Sequence, residues 1–311
     1  MIYVILLLAL TGIVFGADWL VGGSVSIAKR LKVSEFVIGA AIVGVGTSMP
    51  ELVVSTIGAI KGNSDVAIGN VVGSNIFNIL GILGVTALLC PIPIDRKNMR
   101  FEIPLCILVS GLLLLMAMNF FNGTPPVIGR IDGLVLLLSF VLFIWYSMYR
   151  DRKEATEEYA GEVEDIPLTM PVIKVISGLA LLIFSCDLFV DNAVTIAKKL
   201  GLSESFISIT LIACGTSLPE LAASAAAAFK KNTQLALGNI IGSNIFNITL
   251  ILGVASQITP LTSSGITAID YSVVIVSAML IFILGFMKKI NRLAGVLMIG
   301  TFVAYTLYLL N

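Results

Sequence analysis

Gly44-Val-Gly-Thr-Ser-Met-Pro-Glu51 recurs, almost residue for residue, as Ala213-Cys-Gly-Thr-Ser-Leu-Pro-Glu220. Both copies lie inside long apolar stretches. A carboxylate in hydrocarbon is costly, so an acid within a membrane segment points to function. Here each acid directly follows a helix-breaking proline, Pro50 or Pro219, and the chain carries them as a matched pair. Paired, interrupted apolar segments mark a transporter assembled from two halves.

Outward from these segments the repeat keeps a constant offset of 169 residues, at Glu51/Glu220 and again at Asn78/Asn247. It runs without a gap from Asp18/Asp187 through Ser34-Glu35/Ser203-Glu204 to Gly84/Gly253. Roughly half of the aligned positions are identical, well beyond the shared apolar bias of any two membrane segments. The composition agrees: 311 residues, 58% hydrophobic and 12% charged, with mean hydropathy +1.04. Those values belong to the polytopic membrane class.

Spans of about 20 apolar residues cross a bilayer core. The sequence offers ten: 2–28, 34–60, 66–90, 101–121, 127–149, 170–197, 203–229, 234–258, 266–287 and 293–310. The first has no basic start and no cleavage site, so it reads as a span rather than a signal peptide. Lys29, Arg30, Lys32, Arg96, Lys97, Arg100, Arg150, Arg152, Lys153, Lys174, Lys230, Lys231, Lys288, Lys289 and Arg292 collect on one side. Only Lys61, Arg130, Lys198 and Lys199 fall on the other. Positive charge stays inside, which puts both termini outside a cell membrane.

The expected organisation is a first half at 1–149, an acidic cytoplasmic linker at 150–169 and a second half at 170–311. The linker carries Glu154, Glu157, Glu158, Glu162, Glu164 and Asp165 but lacks the spaced ligands and central glycine of an EF-hand loop. A solvated connection is the expectation. Each half has five spans, an odd number, so the second enters from the opposite side. The fold class is therefore an all-α integral membrane protein of ten helices in two inverted-topology five-helix repeats, with substrate near the midplane.

Proline removes one backbone hydrogen bond and splays its neighbours. Pro50 and Pro219 should free the carbonyls of Gly46 and Gly215, which is tolerated in a membrane only where a cavity or ion satisfies them. Thr47, Ser48, Thr216 and Ser217 add hydroxyls. A second motif, Gly69-Asn-Val-Val-Gly-Ser74-Asn75-Ile-Phe-Asn78, recurs as Gly238-Asn-Ile-Ile-Gly-Ser243-Asn244-Ile-Phe-Asn247. Asn70, Ser74 and Asn78 follow each other at i+4 and form a polar stripe, as do Asn239, Ser243 and Asn247. Gly69, Gly73, Gly238 and Gly242 would let these helices approach a neighbour closely. Such a stripe serves interhelical packing as readily as a site. The paired acids do not, because neither span holds a Lys or Arg to neutralise them.

All of these donors are oxygen. Ca²⁺ accepts six to eight such ligands in flexible geometry, whereas Mg²⁺ resists dehydration. The chain has no His, and Cys90, Cys106, Cys186 and Cys214 lack metal-type spacing, so zinc and copper are disfavoured and the cysteines read as packing. Two carboxylates balance one Ca²⁺ or two Na⁺. Asp18 and Asp187 are matched as well. They are expected to cap or bond adjacent helices, and Asp191, opposite Gly22, is expected at the surface.

At these residues the chain resembles the calcium/cation antiporter superfamily, specifically its Na⁺/Ca²⁺ exchanger branch. The resemblance covers nearly the whole chain through both duplicated motifs. It implies a diamond of Glu51, Asn78, Glu220 and Asn247, with Ca²⁺ held by the glutamates and the Thr47 and Thr216 carbonyls. It further implies Na⁺ positions at Ser48, Ser217, Ser74 and Ser243, completed by the Gly44 and Ala213 carbonyls. K⁺-dependent members carry Asp at the place of Asn247, so the resemblance implies no K⁺ requirement.

The expected activity is secondary antiport of Na⁺ against Ca²⁺ by alternating access, about three Na⁺ per Ca²⁺ by family precedent, with lipid as surroundings. No cofactor, nucleic acid or obligate protein partner is implied. Two other readings stay open on the residues: antiport of H⁺ against Ca²⁺ or another divalent cation, with glutamates cycling through protonation, and a cation channel of two half-pores. An enzyme is disfavoured, since there is no His, nucleophile dyad or phosphate loop.

Overall fold

In the computed structural model the described residues are 2–118, 127–158, 167–200, 213–262 and 265–310. The helices are α1 (Ile2–Leu31), α2 (Glu35–Thr47), α3 (Met49–Ile60), α4 (Ser64–Leu89) and α5 (Asn98–Ala117). After them come α6 (Arg130–Glu158), α7 (Thr169–Lys199), α8 (Leu218–Phe229), α9 (Thr233–Ile258), α10 (Ala268–Gly285) and α11 (Arg292–Leu310). Local chemistry starts several of them. Ser34 accepts from the Val37 N–H at 3.3 Å and Asn63 from the Val66 N–H at 3.3 Å. Thr267 and Asp270 form a reciprocal capping box at the head of α10.

Among the described residues, eight helices are long and apolar enough to cross a membrane, and α2 with α3, bent by 48°, makes a ninth span. Of the tenth expected span, 203–229, the part before Ala213 lies outside the described residues. What is described is one turn, Ala213–Gly215, and the apolar helix α8. The expected linker at 150–169 is helical over its first part, because α6 continues to Glu158. Its later acids, Glu162, Glu164 and Asp165, lie outside the described residues. Two two-residue ladders, which the spacing of apolar residues does not signal, tie helix ends together. Strand β1 (Ile92–Pro93) pairs antiparallel with β4 (Lys289–Ile290), and β2 (Val127–Ile128) with β3 (Leu261–Thr262).

Burial sorts the spans. The best apolar window of α9 is 94% buried and that of α4 78%, against 17–39% for the other long helices. The pair carrying the second motif is therefore the centre, and the rest form a jacket whose Leu8, Leu138, Trp145 and Leu297 point outward. One apolar core runs through both halves around α4 and α9, and a second binds α1 to α7, α2 and α8. Helices α1 and α7 touch backbone to backbone: a methyl at Gly16 would fall 2.7 Å from the Leu182 nitrogen, and one at Gly178 2.6 Å from the Leu20 nitrogen. Cys106 and Cys186 are buried and Cys90 and Cys214 half-buried, all as free thiols.

Candidate ion-binding site

The two proline segments build the site by ending a helix and starting another. The breaks fall on Ser48 (φ −84°, ψ 11°) and Ser217 (φ −90°, ψ 10°), so the two halves adopt the same local geometry. Proline then sits in the first turn of α3 and of α8, where its missing N–H costs nothing. Glu51 and Glu220 follow in those first turns, at the positive ends of the helices.

The halves then cross. Ser48 Oγ donates to Glu220 Oε1 at 2.7 Å, and Ser217 Oγ donates to Glu51 Oε1 at 2.9 Å. Each carboxyl group is thus held by the serine of the other repeat. Asparagines fix the helices behind them. Asn70 Nδ2 donates to the Glu51 carbonyl (3.2 Å) and to Ser55 Oγ (3.0 Å). Asn239 Nδ2 does the same to the Glu220 carbonyl (3.3 Å) and Ser224 Oγ (2.8 Å). At the centre Asn75 Nδ2 donates to the Asn244 carbonyl and Asn244 Nδ2 to the Asn75 carbonyl, both at 3.1 Å. A local two-fold relation connects the repeats.

Inside this frame several buried oxygens have no protein partner: Glu51 Oε2, Glu220 Oε2, Asn78 Oδ1, Asn247 Oδ1 and Thr216 Oγ1. Asn78 lacks a partner for its nitrogen too, whereas Asn247 Nδ2 donates to Asn75 Oδ1 at 3.0 Å, which turns its oxygen away from that bond. Buried polar groups are nearly always bonded, so these orphaned oxygens suit a ligand that accepts oxygen donors. Both asparagines sit where α4 and α9 widen into π-helical turns, Phe77–Leu83 and Asn247–Ile251, a distortion that recurs at functional sites. The centre is closed to solvent, with Glu51, Glu220 and Asn247 0% exposed and Asn78 1%.

The other expected residues divide. Ser243 Oγ donates to the Gly44 carbonyl at 3.3 Å, which brings those two together across the repeats. Ser74 instead donates to the carbonyls of Asn70 and Val71 on its own helix. The Thr47 hydroxyl bonds the Val43 carbonyl (3.0 Å) and Asn239 Oδ1 (3.2 Å). Ala213 heads the single turn that leads into the second break.

Sequence reasoning left out Asn75, Asn244, Ser55 and Ser224, although each is duplicated at the repeat offset, which was the available signal. Replacing Asn75 or Asn244 by Ala should lower the Tm of detergent-solubilised protein, at about 1 kcal/mol each. The double variant should cost about the sum, since each side chain donates to a backbone carbonyl that the other substitution leaves in place.

The profile of the sodium/calcium exchanger protein family matches residues 1–149 and 170–311. A putative antiporter, CaxA, of Alkalimonas amylolytica is 40% identical, with 97% of this chain and 96% of the relative aligned. The sodium/calcium exchanger MaX1 of Methanosarcina acetivorans is 31% identical over 99% of this chain and 98% of its own. A solved structure of the sodium-calcium exchanger NCX_Mj, soaked with zero Na⁺ and Ca²⁺, superposes with a TM-score of 0.86 at 31% identity, covering 99% of this chain and 98% of that one.

Proposed function

The chain belongs to the sodium/calcium exchanger protein family, a family of membrane transporters rather than enzymes, and from that premise we propose that it exchanges Na⁺ for Ca²⁺ by alternating access. The observation that supports this reading is the set of buried, orphaned oxygens on Glu51, Glu220, Asn78 and Asn247, two of them carboxyl oxygens. Two like charges in a poorly polarisable interior repel strongly, and a divalent cation between them turns that repulsion into attraction. Oxygen ligands of mixed type suit Ca²⁺, with the Thr47 and Thr216 carbonyls at the helix breaks completing its shell.

The same centre offers sodium smaller, less charged positions. Ser48 and Ser217 already lie on the carboxylates. Ser243 with the Gly44 carbonyl makes an outer position, and Ser74 with the Ala213 carbonyl is its counterpart in the other repeat. Occupation by one ion set excludes the other, which is the coupling an antiporter needs. Burial of every ligand carboxylate supports alternating access, because an ion reaches a closed centre only if a helix moves. We further read the chain as ten spans in inverted halves, with both termini outside and the segment around 150–169 cytoplasmic, as the distribution of Lys and Arg favours.

With three Na⁺ per Ca²⁺, each cycle moves one net charge, worth about 2.3 kcal/mol per 100 mV. Proteoliposomes loaded with Na⁺ and diluted into Na⁺-free buffer should therefore take up ⁴⁵Ca²⁺, faster when the interior is held positive. An outward proton gradient alone should drive none. Uptake driven by protons and indifferent to Na⁺ would replace this reading with H⁺/Ca²⁺ antiport.

A further inference from the structure

Asp18 Oδ1 and Lys230 Nζ form an ion pair at 2.6 Å, and the same ammonium donates to the Asp18 carbonyl at 3.0 Å. The pair joins α1, in the first repeat, to the turn that ends α8, in the second. At the repeat offset of 169 residues Asp18 corresponds to Asp187 and Lys230 to Lys61. Among the described residues no ion pair joins Asp187 to Lys61, and both side chains are exposed.

The difference is not local. Lys61 and Lys230 cap α3 and α8 in the same conformation, with φ −81° and ψ 1° or 2°. The next residue is left-handed in both turns, Gly62 at φ 70° and Lys231 at φ 63°. The Asn63 and Asn232 N–H groups then donate to the Gly58 and Ala227 carbonyls, each at 2.8 Å. Asp18 and Asp187 hold matched positions on α1 and α7. What differs is how the α1–α7 pair lies against the rest: α1 packs along α8, whereas α7 makes no comparable contact with α3.

We infer that Asp18–Lys230 and Asp187–Lys61 are alternative latches, one closed in each of the two facing states. The inference rests on the alternating-access reading above. Backbone contact at Gly16 and Gly178 makes α1 and α7 one moving body. Helices α3 and α8 start at the shared centre and, in inverted repeats, run to opposite ends. A shift of the pair that draws Asp18 from Lys230 therefore carries Asp187 toward Lys61. The latches are unequal. A side chain at Gly22 would begin 3.8 Å from the Lys230 ammonium, and the matching position in α7 is Asp191. Asp187 and Asp191 stand one turn apart on one face, so Lys61 meets two carboxylates and relieves their repulsion. The second latch is the stronger.

The test uses the full chain with its four cysteines replaced and a short bifunctional thiol reagent. Asp18→Cys with Lys230→Cys, and Asp187→Cys with Lys61→Cys, should each cross-link. A chain carrying both pairs should never be linked at both. Lys230→Ala should raise linking of the 61/187 pair, and Lys61→Ala or Asp191→Gly that of the 18/230 pair, by up to about fivefold, the scale of one exposed ion pair. The charge swap Asp18→Lys with Lys230→Asp should return the 61/187 yield to its starting value. Both links in one molecule, a 61/187 pair that never reacts in Na⁺, in Ca²⁺ or without either, or yields unmoved by the charge changes would each overturn the latch. Linking is read without ion flux, so mutually exclusive links in a protein that fails to exchange Na⁺ for Ca²⁺ would sink the transport reading and leave the latch standing.

Discussion

Glu51→Gln and Glu220→Gln will each reduce Na⁺-driven Ca²⁺ uptake at least roughly a hundredfold, because removing one partner of a buried charge interaction costs about 3–5 kcal/mol. The loss has two parts. One carboxylate cannot balance a divalent ion, and the glutamine amide presents hydrogens to a cation where Oε2 had presented a free oxygen. The fold has no reason to suffer. Ser217 can still donate to a glutamine oxygen at position 51, and Ser48 to one at position 220, as they now do at 2.9 and 2.7 Å. With those bonds kept, the ion-free variants should be about as heat-stable as the parent. Uptake by ⁴⁵Ca²⁺ flux, beside Tm in Ca²⁺-free detergent, checks both halves of the expectation. Because the halves cross, the two variants should be equally impaired. Uptake within tenfold of the parent in either would remove that glutamate from the site.

Gly238→Ala will prevent folding to a stable protein. A methyl on Gly238 would lie 2.1 Å from the Phe36 carbonyl oxygen and 2.9 Å from its carbon, which is backbone and cannot rotate aside. Overpacking of ordinary cores costs about 1–3 kcal/mol and more where backbone must move. Here the contact is the seam that lays α2 on α9, so the cost falls on the frame around Thr47 and Asn239. Yield of monodisperse protein after detergent extraction, with Tm for whatever survives, is the measurement. Parental yield and Tm in Gly238→Ala would show that the seam does not hold the halves together.

Much of the candidate site was readable in the chain because its chemistry is unusual. Two acids after prolines in apolar spans, repeated at one offset, are too costly to be kept for packing alone. Their joint centre was the expectation from an odd number of spans in each half. The breaks at Ser48 and Ser217 are local events that proline dictates. Less readable were residues whose type is ordinary in membrane helices. Asn75 and Asn244 look like packing polar groups until their reciprocal bonds are seen. The π-helical widening at Asn78 and Asn247 leaves no mark in the letters around it. The ion pair of Asp18 was missed because its cation, Lys230, is distant in the chain and arrives from the other repeat.

The sequence by itself determined the pairs: two breaks, two acids, two asparagine stripes, two aspartates and two lysines, each with its counterpart. Those features depend on residue type and spacing, which the repeat copies faithfully. Tertiary structure alone decided which member of each pair is engaged. Asn247 Nδ2 donates to Asn75 while Asn78 Nδ2 has no partner among the described residues, and Lys230 holds Asp18 while no ion pair joins Lys61 to Asp187. A repeated sequence encodes both members of each contact with equal right. A contact between the halves depends on how they dock as well as on residue type, and docking engages Asp18 with Lys230 while the matching pair stays apart.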